Sequence, residues 1–130
     1  MFSKIEDALK DLQEGKIICI ADSPDEENEI DFCMAAEFVT PEAIYEMARF
    51  GSGLICVPMT KHYAWKYDFP PMIEYNQDKR LTNFTVSFDG WYTATGISAK
   101  ERAGTILLLC DNYTQPEEFR RPWSLFRTSS

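Results

Sequence analysis

Three short, β-rich apolar runs, KIICIA at 16–21, LICVP at 54–58 and NFTVSF at 83–88, are separated by segments that carry helix start and stop signals. That alternation limits the chain to a layered arrangement of strands and helices. Residues 3–12 predict a helix. Ser3 and Glu6 form an S-x-x-E capping box, Ile5, Ala8, Leu9 and Leu12 share one face, and Gly15 stops the turn. Residues 16–21 are then expected as a buried strand. Thr40, Pro41 and Glu42 open a second helix, with Ile44, Met47 and Ala48 on its apolar face and Gly51 at its end. The run at 54–58 is expected as a strand and 60–67 as a short helix, before Pro70 and Pro71 break the chain. Residues 83–88 alternate as a strand does, and 91–95 are expected to form another. Ser98 and Glu101 repeat the capping box and open a helix through about residue 109. The pattern predicts an α/β (α+β layered) fold, a mixed sheet with helices packed on it, in one domain over residues 1–130.

Thirteen basic residues against 21 acidic ones leave a net charge of −8, which repels polyphosphates and excludes a nucleic-acid partner. The longest apolar runs are too short to span a membrane, and the charged, amphipathic start MFSKIEDALK is no signal peptide. A cytoplasmic protein is expected. Cys19, Cys33, Cys56 and Cys110 form no C-x-x-C pair and each borders an apolar run, so they are expected as small, reduced, buried thiols rather than zinc ligands. The only histidine, His62, is expected on a helix surface.

The segment 22–31, DSPDEENEID, places Asp22, Asp25, Glu26, Glu27, Glu29 and Asp31 within ten positions. Glu27, Glu29 and Asp31 alternate, so an extended chain would turn all three to one face. Converging carboxylates repel one another unless they are solvated, protonated or bound to a cation. Hard cations such as Mg²⁺ suit oxygen ligands, and raised carboxyl pKa values suit acid–base chemistry. The alternative reading is a solvated acidic loop.

This loop resembles the D-D-E-D-R-E-N-E-G-D signature of the 3,4-dihydroxy-2-butanone 4-phosphate synthase family. The stretches KIEDALKDLQEGKIICIAD, MAAEFVTPEAIYEMARFGSGLICVPMT, PPMIEYN, FTVSFD, TGISAKER and FRRP follow in the family's order. The resemblance implies that family's mixed sheet, a Mg²⁺-dependent conversion of ribulose 5-phosphate to a four-carbon riboflavin precursor with release of formate, and a homodimer or higher homo-oligomer. Carried over by position, Glu27 would ligate Mg²⁺, Glu27, Glu29 and Asp31 would be the catalytic carboxylates, and Cys56 and Thr85 would contact substrate. The bland readings of those last two are a core strand thiol and a sheet threonine.

The departures are specific. Glu26 stands where the family has Arg, and Ile30 where it has Gly. Trp123 and Ser124 replace the Gly and His of R-P-G-H. The family's R-x-G-H-T-E-A and C-E-L segments are not in the sequence, which implies a fold lacking the family's C-terminal strands. Reversing a charge at Glu26 removes charge-assisted contacts of the kind that hold a phosphate. Glu26, Trp123 and Ser124 would then shape a different substrate pocket. The expectation that follows is a diverged enzyme acting on a non-phosphorylated, neutral or cationic small molecule by carboxylate acid–base chemistry, such as isomerisation, dehydration or cyclisation, in a secondary-metabolite pathway. The alternatives are the ancestral lyase and a non-catalytic ligand- or partner-binding module.

Overall fold

The structure is a computed structural model that describes residues 2–21, 29–79 and 81–122. Helix α1 (Ile5–Gln13) leads into the antiparallel ribbon of β1 (Ile18–Ala21) and β2 (Ile30–Cys33), in which Ile18 faces Cys33 and Ala21 faces Ile30. Helix α2 (Pro41–Gly51), the short helix α3 (Lys61–Lys66) and helix α4 (Ala99–Cys110) follow. A second ribbon pairs β3 (Asp89–Gly90) with β4 (Phe119–Arg120). Helices and small sheets together make an α+β architecture.

The helix starts follow side-chain chemistry. Thr40 Oγ1 accepts from the Ala43 amide, Thr60 Oγ1 from Tyr63 and Ser98 Oγ from Glu101, each satisfying an amide that the first turn leaves without a partner. Pro41 occupies the first turn of α2, where its missing N–H costs nothing. Gly15 ends the turn after α1 at φ +77°, and a Cβ there would press on Phe38 at 3.1 Å.

Two apolar clusters hold the elements together. Val39 and Ile44 meet Ala103 and Ile106, so α2 and α4 pack face to face. Tyr67, Phe69, Leu109 and Phe119 form the second cluster, with Phe88 stacked on Phe69 at 4.0 Å between ring centroids. Val57 touches both clusters, so the extended segment 54–59 lies across the two.

Several sequence expectations change. Helix α1 begins at Ile5 with Lys4 as its cap, and no side chain caps it, so Ser3 and Glu6 make no capping box. Strand β1 is largely exposed rather than buried. Residues 54–58 form no ladder among the described residues. Residues 83–88 contribute only an isolated bridge between Pro71 and Thr85, and the chain turns after Gly90 instead of running as a strand through 91–95. Pairing needs a neighbour in register, which period-two patterning does not supply. Cys19, Cys56 and Cys110 are exposed and Cys33 is half-buried, so the thiols are not core residues. His62 is exposed on α3, as expected. No helix among the described residues is long and apolar enough to cross a membrane.

Candidate functional site

Strand β2 carries the end of the carboxylate loop. Its pairing with β1 puts Asp31 opposite Ile20, next to the extended segment that follows α2. Burial pushes the Cys56 thiol above its ordinary pKa, and the negative charge of Asp31 raises it further. Cys56 is exposed as a residue, yet surrounding protein partly desolvates its sulfur. Such a thiol stays protonated at neutral pH and is a weak nucleophile, so it suits lining a site better than attacking from it.

Glu29 and Asp31 are both exposed. Thr85 is half-buried; its hydroxyl donates to the Val86 carbonyl at 2.9 Å, and its backbone bridges Pro71. A shallow, open depression lies beside it, lined by Met72, Ile73, Glu74, Asn76, Asp78 and Phe84, and neither Asp31 nor Cys56 lines it. The charge of Asp31 thus bears on Cys56, while Thr85 sits by a separate hollow. Glu26, Glu27, Trp123 and Ser124 lie outside the described residues, as does Arg80.

For a divalent cation, Glu29 and Asp31 offer oxygen donors of the right hardness. Among the described residues, however, no three His, Cys, Asp or Glu side chains gather closely enough to hold a metal. A magnesium site on these two carboxylates would need at least one further donor.

Three residues have roles that the sequence did not signal. Glu101, read as half of a capping box, accepts instead from the amides of Ala94 and Gly96, both at 2.8 Å, and so clamps the T-G-I-S turn onto the start of α4. The box spacing could have flagged Glu101, but not the direction in which its carboxylate turns. Arg120 donates to the carbonyls of Thr93 and Trp91. Arg121 donates to Phe119, Tyr67 and Pro116 carbonyls and lies over the Phe69 ring. Arg121 thus ties F-R-R-P to the second cluster, and Arg120 ties it to the turn after β3.

The sequence pattern of 3,4-dihydroxy-2-butanone 4-phosphate synthase matches residues 6–128. Riboflavin biosynthesis protein RibBA of Bacillus cytotoxicus is 46% identical over 126 residues, which are 97% of this chain and 32% of that protein. RibBA of Bacillus mycoides shows the same identity and coverage. Among solved structures, 3,4-dihydroxy-2-butanone 4-phosphate synthase in complex with two magnesium ions superposes with a TM-score of 0.88 at 41% identity, over 95% of this chain and 58% of that one. The synthase of Candida albicans gives a TM-score of 0.83 at 35% identity, over 95% and 61%. The chain thus spans about a third of the curated relatives it matches. With nearly all of its length accounted for by one family pattern and one fold, the chain belongs to the 3,4-dihydroxy-2-butanone 4-phosphate synthase family.

Proposed function

We propose that the chain supplies part of a lyase active site for ribulose 5-phosphate, producing 3,4-dihydroxy-2-butanone 4-phosphate and formate in riboflavin biosynthesis. The observation that carries this reading is the match of residues 6–128 to the 3,4-dihydroxy-2-butanone 4-phosphate synthase pattern, in a chain 46% identical to riboflavin-pathway proteins. Glu27, Glu29 and Asp31 would move protons on and off the sugar carbons, and Cys56 and Thr85 would line the substrate. Magnesium, held by Glu27 with the neighbouring carboxylates, would polarise a substrate oxygen as a Lewis acid. The site belongs to one folding domain, completed by a second copy as a homodimer.

The expectation of a non-phosphorylated substrate rested on Glu26, Trp123 and Ser124, and the family comparisons lend it no support. They favour the phosphosugar lyase instead. No observation favours an isomerase or cyclase over that reading.

The test is formate release from ribulose 5-phosphate with Mg²⁺, beside a full-length Bacillus RibBA. The chain is assayed alone and mixed with the synthase-domain segment of that relative which follows the aligned region. Formate from the mixture, lost in Asp31→Asn, is the expected result. A mixture that forms a complex yet releases no formate would overturn the lyase reading.

A further inference from the structure

Asp89 is a buried carboxylate: it is 2% exposed in β3, and its Oδ1 has no hydrogen-bond partner. Its Oδ2 accepts from the Thr93 hydroxyl at 3.1 Å. That hydroxyl also donates to the Gly90 carbonyl at 2.9 Å, and it has one hydrogen for both acceptors. Taking a carboxylate out of water is costly unless new donors replace the water it loses. Asp89 therefore needs a donor that its protein neighbours do not supply directly.

Pairing of β3 with β4 sets Arg120 opposite Asp89, so both side chains leave the ribbon on one face. Arg120 donates to the Thr93 and Trp91 carbonyls, which occupies two of the five N–H groups of a guanidinium. Asp89 and Arg120 thus grip the same residue, Thr93, one through its hydroxyl and the other through its carbonyl. Asp89 Oδ1 nevertheless takes no hydrogen bond from the guanidinium. Opposite charges held on one face without direct contact are joined by water where the space is polar and enclosed. A metal ion is the poorer occupant. The guanidinium already supplies positive charge, and among the described residues no three His, Cys, Asp or Glu side chains gather to hold one. We infer that a buried water bridges Asp89 Oδ1 to the Arg120 guanidinium, and that this solvent-bridged ion pair latches the turn after β3 onto β4. The latch is separate from the Glu101 clamp, which holds the amides of Ala94 and Gly96. Neither Asp89 nor Arg120 belongs to the proposed lyase site, so the inference does not rest on that reading.

The experiment uses the full chain. Water–protein NOEs in NMR should show a long-lived water beside the Thr93 protons, and their absence would overturn the bridge. This measurement needs no variant, so it stands even where a substitution prevents folding. Amide hydrogen exchange is then followed in Asp89→Asn, Arg120→Met and the double variant. Either single substitution should speed exchange of the Thr93 amide by roughly tenfold, and the double variant should be about as fast as the faster single, because both break one latch. Single effects that multiply in the double variant would show two independent contacts and overturn the latch. A Tm that is higher in sodium or potassium chloride than in choline chloride at equal ionic strength, and that loses this difference in Asp89→Asn, would place a cation there and overturn the water bridge.

Discussion

Gly104, in the middle of α4, leaves the space that the Tyr92 hydroxyl fills on its way to donating to the Glu101 carbonyl at 3.0 Å. Gly90 flanks the same ring, where a Cβ would meet Tyr92 Cε1 at 2.6 Å. In an exposed helix, Gly to Ala stabilises by roughly 1 kcal/mol. Here the added methyl would collide with the hydroxyl, and overpacking costs about 1–3 kcal/mol. Gly104→Ala should therefore lower stability by about 1–2 kcal/mol in urea unfolding, the overpacking cost outweighing the helix gain. In a Tyr92→Ala background the same substitution should become stabilising. A Gly104→Ala gain in the unaltered chain would show that Tyr92 swings away freely.

The carboxylate of Glu101 carries the turn at 94–96. It accepts from two amides, and Gly96 is buried with φ +74°, so the turn has a defined shape that this carboxylate satisfies. Hydrogen bonds to a charged acceptor contribute about 1.5–3 kcal/mol each, less where solvent screens them. Glu101→Ala should cost about 2 kcal/mol in chemical unfolding, since the group is only partly buried. Glu101→Gln, which keeps one acceptor oxygen, should recover about half of that loss. Equal losses for the two variants would mean that charge rather than geometry holds the turn.

These two contacts show where sequence reading stops. The capping side chains Thr40 and Ser98 were legible because a cap is a local event within a few residues. The same locality let His62 be placed on a helix surface. The box partner Glu101 was misassigned because its choice between the Ser98 amide and the Ala94 and Gly96 amides depends on the shape of the preceding turn. The segment 54–58 has a strand's alternation, but a ladder needs a second strand, and patterning within the run carries no information about that partner. The thiols were misjudged for a related reason: Cys19 and Cys56 occupy apolar runs whose outer faces are open in this chain. At the site, the charge of Asp31 bears on the Cys56 thiol, and Thr85 lies beside a hollow that neither of them lines.

The pairing of Asp31 with Cys56 predicts a pH effect of definite sign. Burial and the Asp31 charge both favour the neutral thiol, so the folded protein holds less Cys56 thiolate at a given pH than an unperturbed cysteine would. Asp31→Asn removes the repelling charge and leaves the burial. Its Cys56 pKa should fall toward the ordinary value, and the thiolate fraction at mildly alkaline pH should rise. Alkylation of Cys56 by iodoacetamide near pH 8, read by peptide mass spectrometry, should therefore become about two- to threefold faster. Cys19, followed in the same digest, should keep its rate. A parallel rise at both cysteines would indicate loosening of the β1–β2 ribbon instead of a local charge effect.

Phe119 is the residue on which the second cluster turns. It is buried and meets Tyr67, Phe69 and Phe88 edge-on, with ring centroids 5.2, 5.2 and 5.6 Å away. It also sits in β4, opposite Gly90, so its removal loosens the ribbon that anchors the turn after β3. Truncating a buried Phe to Ala costs about 3–5 kcal/mol, and domains of this size are stable by only about 5–15 kcal/mol. Phe119→Ala should therefore lower stability by about 3–5 kcal/mol and shift the urea midpoint, followed by circular dichroism, sharply downward. Phe119→Leu keeps most of the volume but loses three edge-to-face contacts, each of order 0.5–1.5 kcal/mol, and should cost about 1.5–4.5 kcal/mol. Phe88→Leu removes the stacked pair with Phe69 and one edge contact to Phe119, and should cost less than Phe119→Leu. The double variant Phe88→Leu/Phe119→Leu should cost less than the two singles together, because both delete the contact they share. Strict additivity would mean that the rings contribute by burial alone.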